Sequence, residues 1–252
     1  MILLIDAGNT RIKWALAEAD APLGIWIATG AVHHADLAQL PQAWDASLGG
    51  RAIERAILSN VAGAALRARL QLILPAALPA EAAHWFASVP RLAGVTNGYR
   101  NPAQLGCDRF AAAIGAHALL PGRAIIVANC GTATTIDALT PDGVFVGGMI
   151  LPGLGLMASS LARNTAQLPH IAQDGKLPPE FADNTDDAIL SGCLAAQAGA
   201  IERACKLHGA AECIVSGGAA PSVATALKVP HRLVDNIVLI GLHAAAGAVA
   251  AT

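Results

Sequence analysis

The sequence predicts an α/β protein built as two related halves, each a mixed sheet with helical cover. Three observations carry that prediction. The chain has 252 residues, 54% of them hydrophobic and only 13% charged, which suffices for one large core or two smaller ones and excludes intrinsic disorder. Strand-like runs come first and strand–helix alternation follows, the order of a mixed sheet covered by helices. A short polar hairpin centred on glycine also recurs half a chain apart, with Ile5–Leu16 lying over Ala128–Leu139 at a constant offset of 123 residues. Only the Gly, Ala and Leu positions are identical in that overlay, so the pattern rather than the identity carries it.

The first half opens with the apolar run Met1–Ile5, a turn at Ala7–Thr10 and a second run from Ile12 to Ala17, which reads as strand, tight turn, strand. Gly24–Thr29 is expected to be a third strand and Ala35–Leu48 a helix. Arg55–Val61 reads as a buried strand, followed by a helix near Ala64–Leu72. The second half repeats the opening: strand Ala124–Ala128, turn Asn129–Thr132, strand Thr134–Leu139, turn Thr140–Gly143 and strand Val144–Ile150. A helix is expected over Leu154–Thr165, a loop-rich stretch over Ala166–Asn184 and a helix over Asp186–Leu207. Cys213–Ser216 reads as a strand, Gly217-Gly218 as a turn, Ala219–Leu227 as a helix, and Ile237–Ala251 as an Ala-rich helix that could pack on either half. The expected domains are residues 1–118 and 119–252.

Composition removes several function classes. Sixteen Lys+Arg against 18 Asp+Glu leave no cationic excess for a nucleic-acid surface. The mean hydropathy is positive, but the longest uncharged run, Gly143–Ala162, is broken by Gly147, Gly148, Pro152, Gly153 and Gly155, and so reads as strand, turn and helix start rather than a membrane span. No basic segment precedes Asp6, so no signal peptide is read and a cytoplasmic protein is expected. Cys107, Cys130, Cys193, Cys205 and Cys213 are odd in number and form no C-x-x-C pair, which points to reduced thiols with neither zinc nor a disulfide framework.

The glycine turns are the first chemical signal. Glycine lets backbone N–H groups approach an anion, Thr and Asn add neutral donors, Lys13 offers a point charge, and Asp6 could hold Mg²⁺ through its waters beside a triphosphate. Either turn alone is better read as a simple hairpin closure; two at matched places, with a third turn at Gly217-Gly218, favour nucleotide binding. No P-loop, no strand-borne G-x-G-x-x-G and no G-x-S-x-G elbow is present. Between the halves, Thr96–Arg109 is a polar loop holding the only tyrosine, Tyr99, and leading into an apolar helix from Phe110 to Leu120. Asp108 reads either as a substrate-facing carboxylate or as a helix N-cap, and Arg109 either as a ligand for a polar substrate or as a solvated first-turn residue.

Asp6-x-Gly8-Asn9-Thr10, Gly106-x-Asp108-Arg109, Gly131-Thr132-Ala133-x-Thr135-x-Asp137 and Gly147-Gly148-x-Ile150-x-Pro152-Gly153 together resemble the type III pantothenate kinases, from Met1 to about residue 245. The resemblance implies the fold of the acetate and sugar kinase, Hsp70 and actin superfamily, in which two ribonuclease H-like halves clasp ATP between them. It further implies that the ATP γ-phosphoryl group passes to the 4′-hydroxyl of pantothenate, the first step toward coenzyme A. Carried over by position, it gives Asp6, Ala7, Gly8, Asn9, Thr10, Arg11, Ile12, Lys13 and Thr132 to ATP. Tyr99, Gly106, Cys107, Asp108, Arg109 and Thr185 go to pantothenate, with Thr185 supplied across a homodimer and Asp108 the proton acceptor. Mg²⁺ accompanies ATP, and a monovalent cation, K⁺ or NH₄⁺, is implied near the phosphates. The family usually has Asp where this chain has Asn129, which keeps a carbonyl ligand but loses the charge, so no metal site is assigned there. A related sugar or small-alcohol kinase, a non-catalytic nucleotide-binding regulator and a scaffold without a nucleotide site are the alternatives.

Other residues carry less chemistry. His33-His34 is expected to be solvated, Arg67 and Arg69 to lie on a solvated helix face, and Trp14, Trp26, Trp44 and Trp85 to anchor a core or an interface. Asp137 is equally well read as structural or functional.

Overall fold

A computed structural model of the chain describes residues 1–75, 78–169 and 177–249. It divides into two compact units, one of residues 1–121 with 143–145 and the segment from 236 onward, the other of residues 122–142 with 146–235.

In the first unit, β1 (Ile2–Ala7), β2 (Arg11–Ala17) and β3 (Ala28–His33) form an antiparallel meander, followed by α1 (Leu40–Leu48). Next come β4 (Arg55–Asn60), parallel to β1, then α2 (Ala64–Ile73) and β5 (Ala83–Trp85), parallel to β4. The strand order is β3-β2-β1-β4-β5. The run Ile2-Leu3-Leu4-Ile5 is apolar on both sides of its pleat because β1 is central and both faces of the sheet are covered. Leu3, Ile5, Ile12 and Leu16 pack on one face with Leu40 and Trp44 of α1 and Leu66 and Leu70 of α2. The third strand begins later than the sequence pattern predicts: Gly24 adopts a left-handed φ of 82° in the preceding turn, and regular pairing to β2 starts only at Ala28 opposite Leu16. Two short strands, β6 (Arg91–Leu92) and β7 (Val95–Asn97), lead to α3 (Cys107–Leu119).

The second unit holds β8 (Ile125–Cys130), β9 (Ala133–Leu139), β10 (Val144–Pro152), α4 (Leu154–Asn164), α5 (Thr185–His208), β11 (Glu212–Ser216), α6 (Ala220–Ala226) and β12 (Arg232–Leu233). The first two residues of β10, Val144 and Phe145, fall in the first unit and pair with β7 there. The strand order β12-β11-β8-β9-β10 is that of the first sheet repeated element for element. Ile126, Ala128 and Ile136 meet Ile189, Leu194 and Ile201 of α5 and Val223 of α6 in one core. Asn184 caps α5 by accepting from Asp187 N at 3.0 Å, and Gly209 ends it in the left-handed conformation. The loop predicted over 166–184 falls partly on residues 170–176, which lie outside the described residues.

The last helix, α7 (Ile237–Val249), belongs to the first unit, where it packs on α3, β1, β2 and β4. Ile237, Leu239, Leu242 and Ala245 are all fully buried, as a helix covered on every side requires. A Cβ on Gly241 would run into the Ala111 carbonyl, so this glycine sets how closely α7 and α3 approach. The predicted end of this helix, beyond residue 249, lies outside the described residues.

The two leading hairpins share one plan with one difference. Ala7 pairs with Ile12 across the first turn and Cys130 with Thr134 across the second, so the second turn is one residue shorter. The equivalence between halves therefore holds at 123 on the leading strand and slips to 122 on the returning one. The structural counterpart of Lys13 is Thr135, not the Ile136 of a constant offset. Asn129, predicted in the turn, is instead the penultimate residue of β8.

Candidate active site

Asp6 stands near the end of β1 with Lys13 of β2 on one side and Ser59 of β4 on the other as its register partners. Its Oδ1 is shut off from solvent and has no hydrogen-bond partner among the described residues. Burial, and then the charge of Asp108, raise the Asp6 carboxyl to about 7, against the pull of Lys13. The turn that follows is closed by Gly8 N donating to Arg11 O at 3.1 Å and braced by Val61 N donating to Ala7 O at 3.1 Å. Asn9, Thr10 and Arg11 are exposed at its tip, whereas the side chains of Ala7 and Ile12 are buried, so these two offer a ligand only backbone.

The start of α3 lies against the same strand ends. Gly106 is the N-cap and Cys107, Asp108 and Arg109 make the first turn, earlier than the Phe110 start that the apolar pattern predicts. Asp108 is therefore not the cap. Its Oδ1 accepts from Arg109 N at 2.8 Å, and burial raises its carboxyl despite that bond and the Arg109 charge. The Cys107 thiol turns to β4, lying 3.4 Å from Ser59 Oγ and donating to Asn60 O at 3.6 Å, which pins the helix start beside Asp6. Burial pushes that thiol up, so it stays protonated.

Arg109 is 6% exposed, which removes the solvated reading. Its Nη1 donates to Tyr99 Oη at 2.9 Å, and its guanidinium lies 5.7 Å from the ring centres of both Tyr99 and Phe145. Tyr99 meets Phe145 edge-on at 5.7 Å. Phe145 was not legible as a site residue, because its contacts come from the long-range pairing of β10 with β7.

His34 corrects the sequence reading. It is half-buried, and its Nε2–H donates to Gly8 O at 2.8 Å, while Arg69 Nη2 donates to His34 O at 3.0 Å. His33 is exposed as expected. Arg67 and Arg69 are exposed, with Arg67 stacked over Trp85 at 4.4 Å. Trp14 and Trp44 are core residues; Trp26 and Trp85 are partly buried.

Thr132 and Thr185 belong to the second unit, Thr132 exposed in the β8–β9 turn and Thr185 exposed as the first residue of α5. Backbone hydrogen bonds brace that turn: Cys130 O accepts from Ala219 N at 3.0 Å and Thr132 O from Gly153 N at 2.9 Å. A Cβ on Gly153 or Gly217 would collide with the turn's own carbonyls. Asn129 has Thr135 and Ser216 as register partners, and Asp137 is buried opposite Val127.

No group of three or more His, Cys, Asp or Glu is arranged to hold a metal among the described residues. A buried, unpartnered carboxylate oxygen on Asp6 does fit a divalent ion that arrives with phosphates and keeps several waters. Among the described residues no helix is long and apolar enough to cross a membrane.

Residues 2–207 match the family model for type III pantothenate kinase. A type III pantothenate kinase of Herminiimonas arsenicoxydans is 57% identical, over 98% of this chain and 97% of its own. The solved structure of an activator of 2-hydroxyisocaproyl-CoA dehydratase from Clostridium difficile with bound ADPNP superposes with a TM-score of 0.56 at 13% identity, covering 99% of this chain and 94% of that one. A ROK hexokinase of Thermus thermophilus gives 0.51 at 12% identity, with 97% of each chain covered. These distant likenesses bear on the fold alone, which is the actin-like ATPase fold with two mixed sheets, and the repeated strand order agrees with it. With a model match over most of its length and a full-length relative above half identity, the chain belongs to the type III pantothenate kinase family.

Proposed function

We propose that this protein transfers the γ-phosphoryl group of ATP to the 4′-hydroxyl of pantothenate, the entry step to coenzyme A. Family membership supports the reaction, and one observation supports the residues: Asp6, Lys13 and Asp108 gather at neighbouring strand and helix ends in a single unit, close enough for the charge of Asp108 to raise the proton affinity of Asp6 and for Lys13 to lower it. In this reading the backbone of residues 6–13 cradles the phosphates, with Thr132 a further contact, and Lys13 neutralises a phosphate oxygen. Asp6 holds the waters of a Mg²⁺ ion that supplies charge neutralisation when bound with ATP. Asp108 orients the pantothenate hydroxyl and takes its proton late, as a loose phosphoryl-transfer transition state requires. The raised carboxyl of Asp108 suits that task, since a base with a very low pKa accepts protons poorly. Tyr99, Gly106, Cys107 and Arg109 line the acceptor side, Arg109 held by Tyr99 and Phe145, and Cys107 acting through backbone because its thiol faces β4.

The same reading takes the protein as a cytoplasmic homodimer in which Thr185 reaches the partner's pantothenate. Val146, Met149 and Ile150 on β10 and Leu156 and Leu161 on α4 are exposed apolar side chains of the kind a second copy would cover. A monovalent cation, K⁺ or NH₄⁺, would find at Asn129 a neutral amide instead of a carboxylate. The deciding experiment follows ADP release by purified protein with ATP, Mg²⁺ and a panel of pantothenate, sugars and small alcohols, with and without K⁺. Preference for pantothenate supports the proposal; turnover of a sugar alone, or none with any acceptor, overturns it.

A further inference from the structure

We infer that His34 is a positioning residue for ATP, holding one peptide of the glycine turn so that its N–H faces the phosphates. The inference rests on the reading that residues 6–13 cradle ATP. The Gly8 carbonyl can only accept, so the hydrogen bond at 2.8 Å fixes the proton of His34 on Nε2. In a trans peptide the C=O and N–H point in opposite directions, so drawing Gly8 O toward His34 aims Asn9 N–H the other way. Gly8 has no Cβ to resist rotation, and an untethered 8–9 peptide would flip at little cost, presenting a carbonyl where a phosphate needs a donor. His34 is itself fixed: it follows the last residue of β3, which pairs with Arg11 at the far side of the turn, and Arg69 of α2 holds its carbonyl at 3.0 Å.

The second unit's turn repeats the backbone part of this bracing: Cys130 O, the counterpart of Ala7 O, accepts from Ala219 N, and Thr132 O accepts from Gly153 N. In the first unit Val61 N holds Ala7 O in the same backbone manner, but the carbonyl of Gly8 depends on an imidazole from 26 residues away.

The test compares the full-length wild type with His34→Ala and His34→Gln, whose amide N–H can donate to the same carbonyl. His34→Ala is expected to raise the KM for ATP about tenfold, the worth of one neutral hydrogen bond, while the KM for pantothenate stays within about twofold. His34→Gln should recover most of the loss. A merely structural role would instead lower the melting temperature and shift both KM values together, without rescue by Gln, and that pattern overturns the inference. Titration with Mg²⁺ and a non-hydrolysable ATP analogue separates this from the function itself. Equal analogue affinity in wild type and His34→Ala removes His34 from its role, whereas wild type that binds the analogue but leaves pantothenate unphosphorylated removes the proposed reaction.

Discussion

The hairpins β1–β2 and β8–β9 share strand order, turn placement and burial, yet only the first carries charge beside its turn, the Asp137 of the second lying further down the strand opposite Val127. The burial pattern of β1 is repeated residue for residue in β8, and Gly8 N bonds Arg11 O as Gly131 N bonds Ala133 O. At the position of Asp6, Lys13 and Ser59 the second hairpin has Asn129, Thr135 and Ser216. The apolar positions were kept in both halves because each sheet must bury the same two faces, while the polar positions near the turn diverged. One scaffold can therefore serve two electrostatic tasks, with the acidic and basic groups of the proposed chemistry concentrated in the first unit.

The largest effect expected from breaking that asymmetry is at Asp108. Asp108→Asn keeps the size of the side chain and an oxygen able to accept from Arg109 N, so the fold and ATP binding should persist. Turnover should fall by roughly 10²- to 10⁴-fold, the usual contribution of a positioned proton acceptor. Steady-state kinetics checks this, and near-normal kcat would take Asp108 out of the reaction.

Next comes Asp6, whose carboxyl separates function from stability. It holds its proton up to about 7 when folded, against a reference value of 3.8. Between those values the folded state binds more protons than the unfolded one, so stability falls as pH rises through that window and stays reduced above it. Three units at 1.36 kcal/mol each give an upper bound of about 4 kcal/mol, so Asp6→Asn should stabilise the ligand-free protein at pH 8 by roughly 2–4 kcal/mol while weakening Mg²⁺–ATP binding. Urea unfolding at pH 5 and pH 8 measures this. The variant should lose most of the wild-type slope, keeping the smaller part due to Asp108, whose carboxyl is raised in the same sense; an unchanged slope would show that Asp6 is not the group responsible.

The unit that lacks those charges depends on glycine geometry instead. Gly217 has φ 98° and a Cβ there would strike Cys130, so Gly217→Ala should destabilise the protein by about 2–3 kcal/mol through strain and overpacking. Gly218, with open space at its Cβ, should tolerate Ala within about 0.5 kcal/mol. Denaturation midpoints of the two variants give the comparison, and equal midpoints would mean the turn can relax.

How much of this was legible in sequence follows from whether the signal is local. The strands β1 and β8 announce themselves as apolar runs ending in a polar glycine turn, and the matched turns revealed the duplication. The start of α3 was misplaced because its apolar stripe begins only at Phe110, while its first turn, Cys107–Arg109, is polar for reasons of chemistry rather than packing. The one-residue difference between the turns was invisible to an overlay at constant offset, since only pairing reveals it. His34 and Phe145 carry no local signal at all. Each acts on residues far away in the chain, and a lone histidine or phenylalanine at a strand end looks the same whether or not such a partner exists.

The smallest expected effect restores symmetry. Asn129→Asp would place a carboxylate at the position equivalent to Asp6, but opposite Thr135 instead of a lysine. With no basic register partner on either side, the new charge would be compensated only by water or by a cation. In the proposed arrangement it would also lie near the phosphates. The KM for ATP should therefore rise about two- to fivefold in a buffer free of K⁺ and NH₄⁺, and fall back when either is added, because a small cation can screen the added charge. Wild type, with its neutral amide, should respond less to the same addition. Kinetics across a K⁺ series decides the matter: identical cation dependence in the two proteins would mean that this end of β8 does not sense the phosphates, and the electrostatic division between the hairpins would then have to be explained by folding alone.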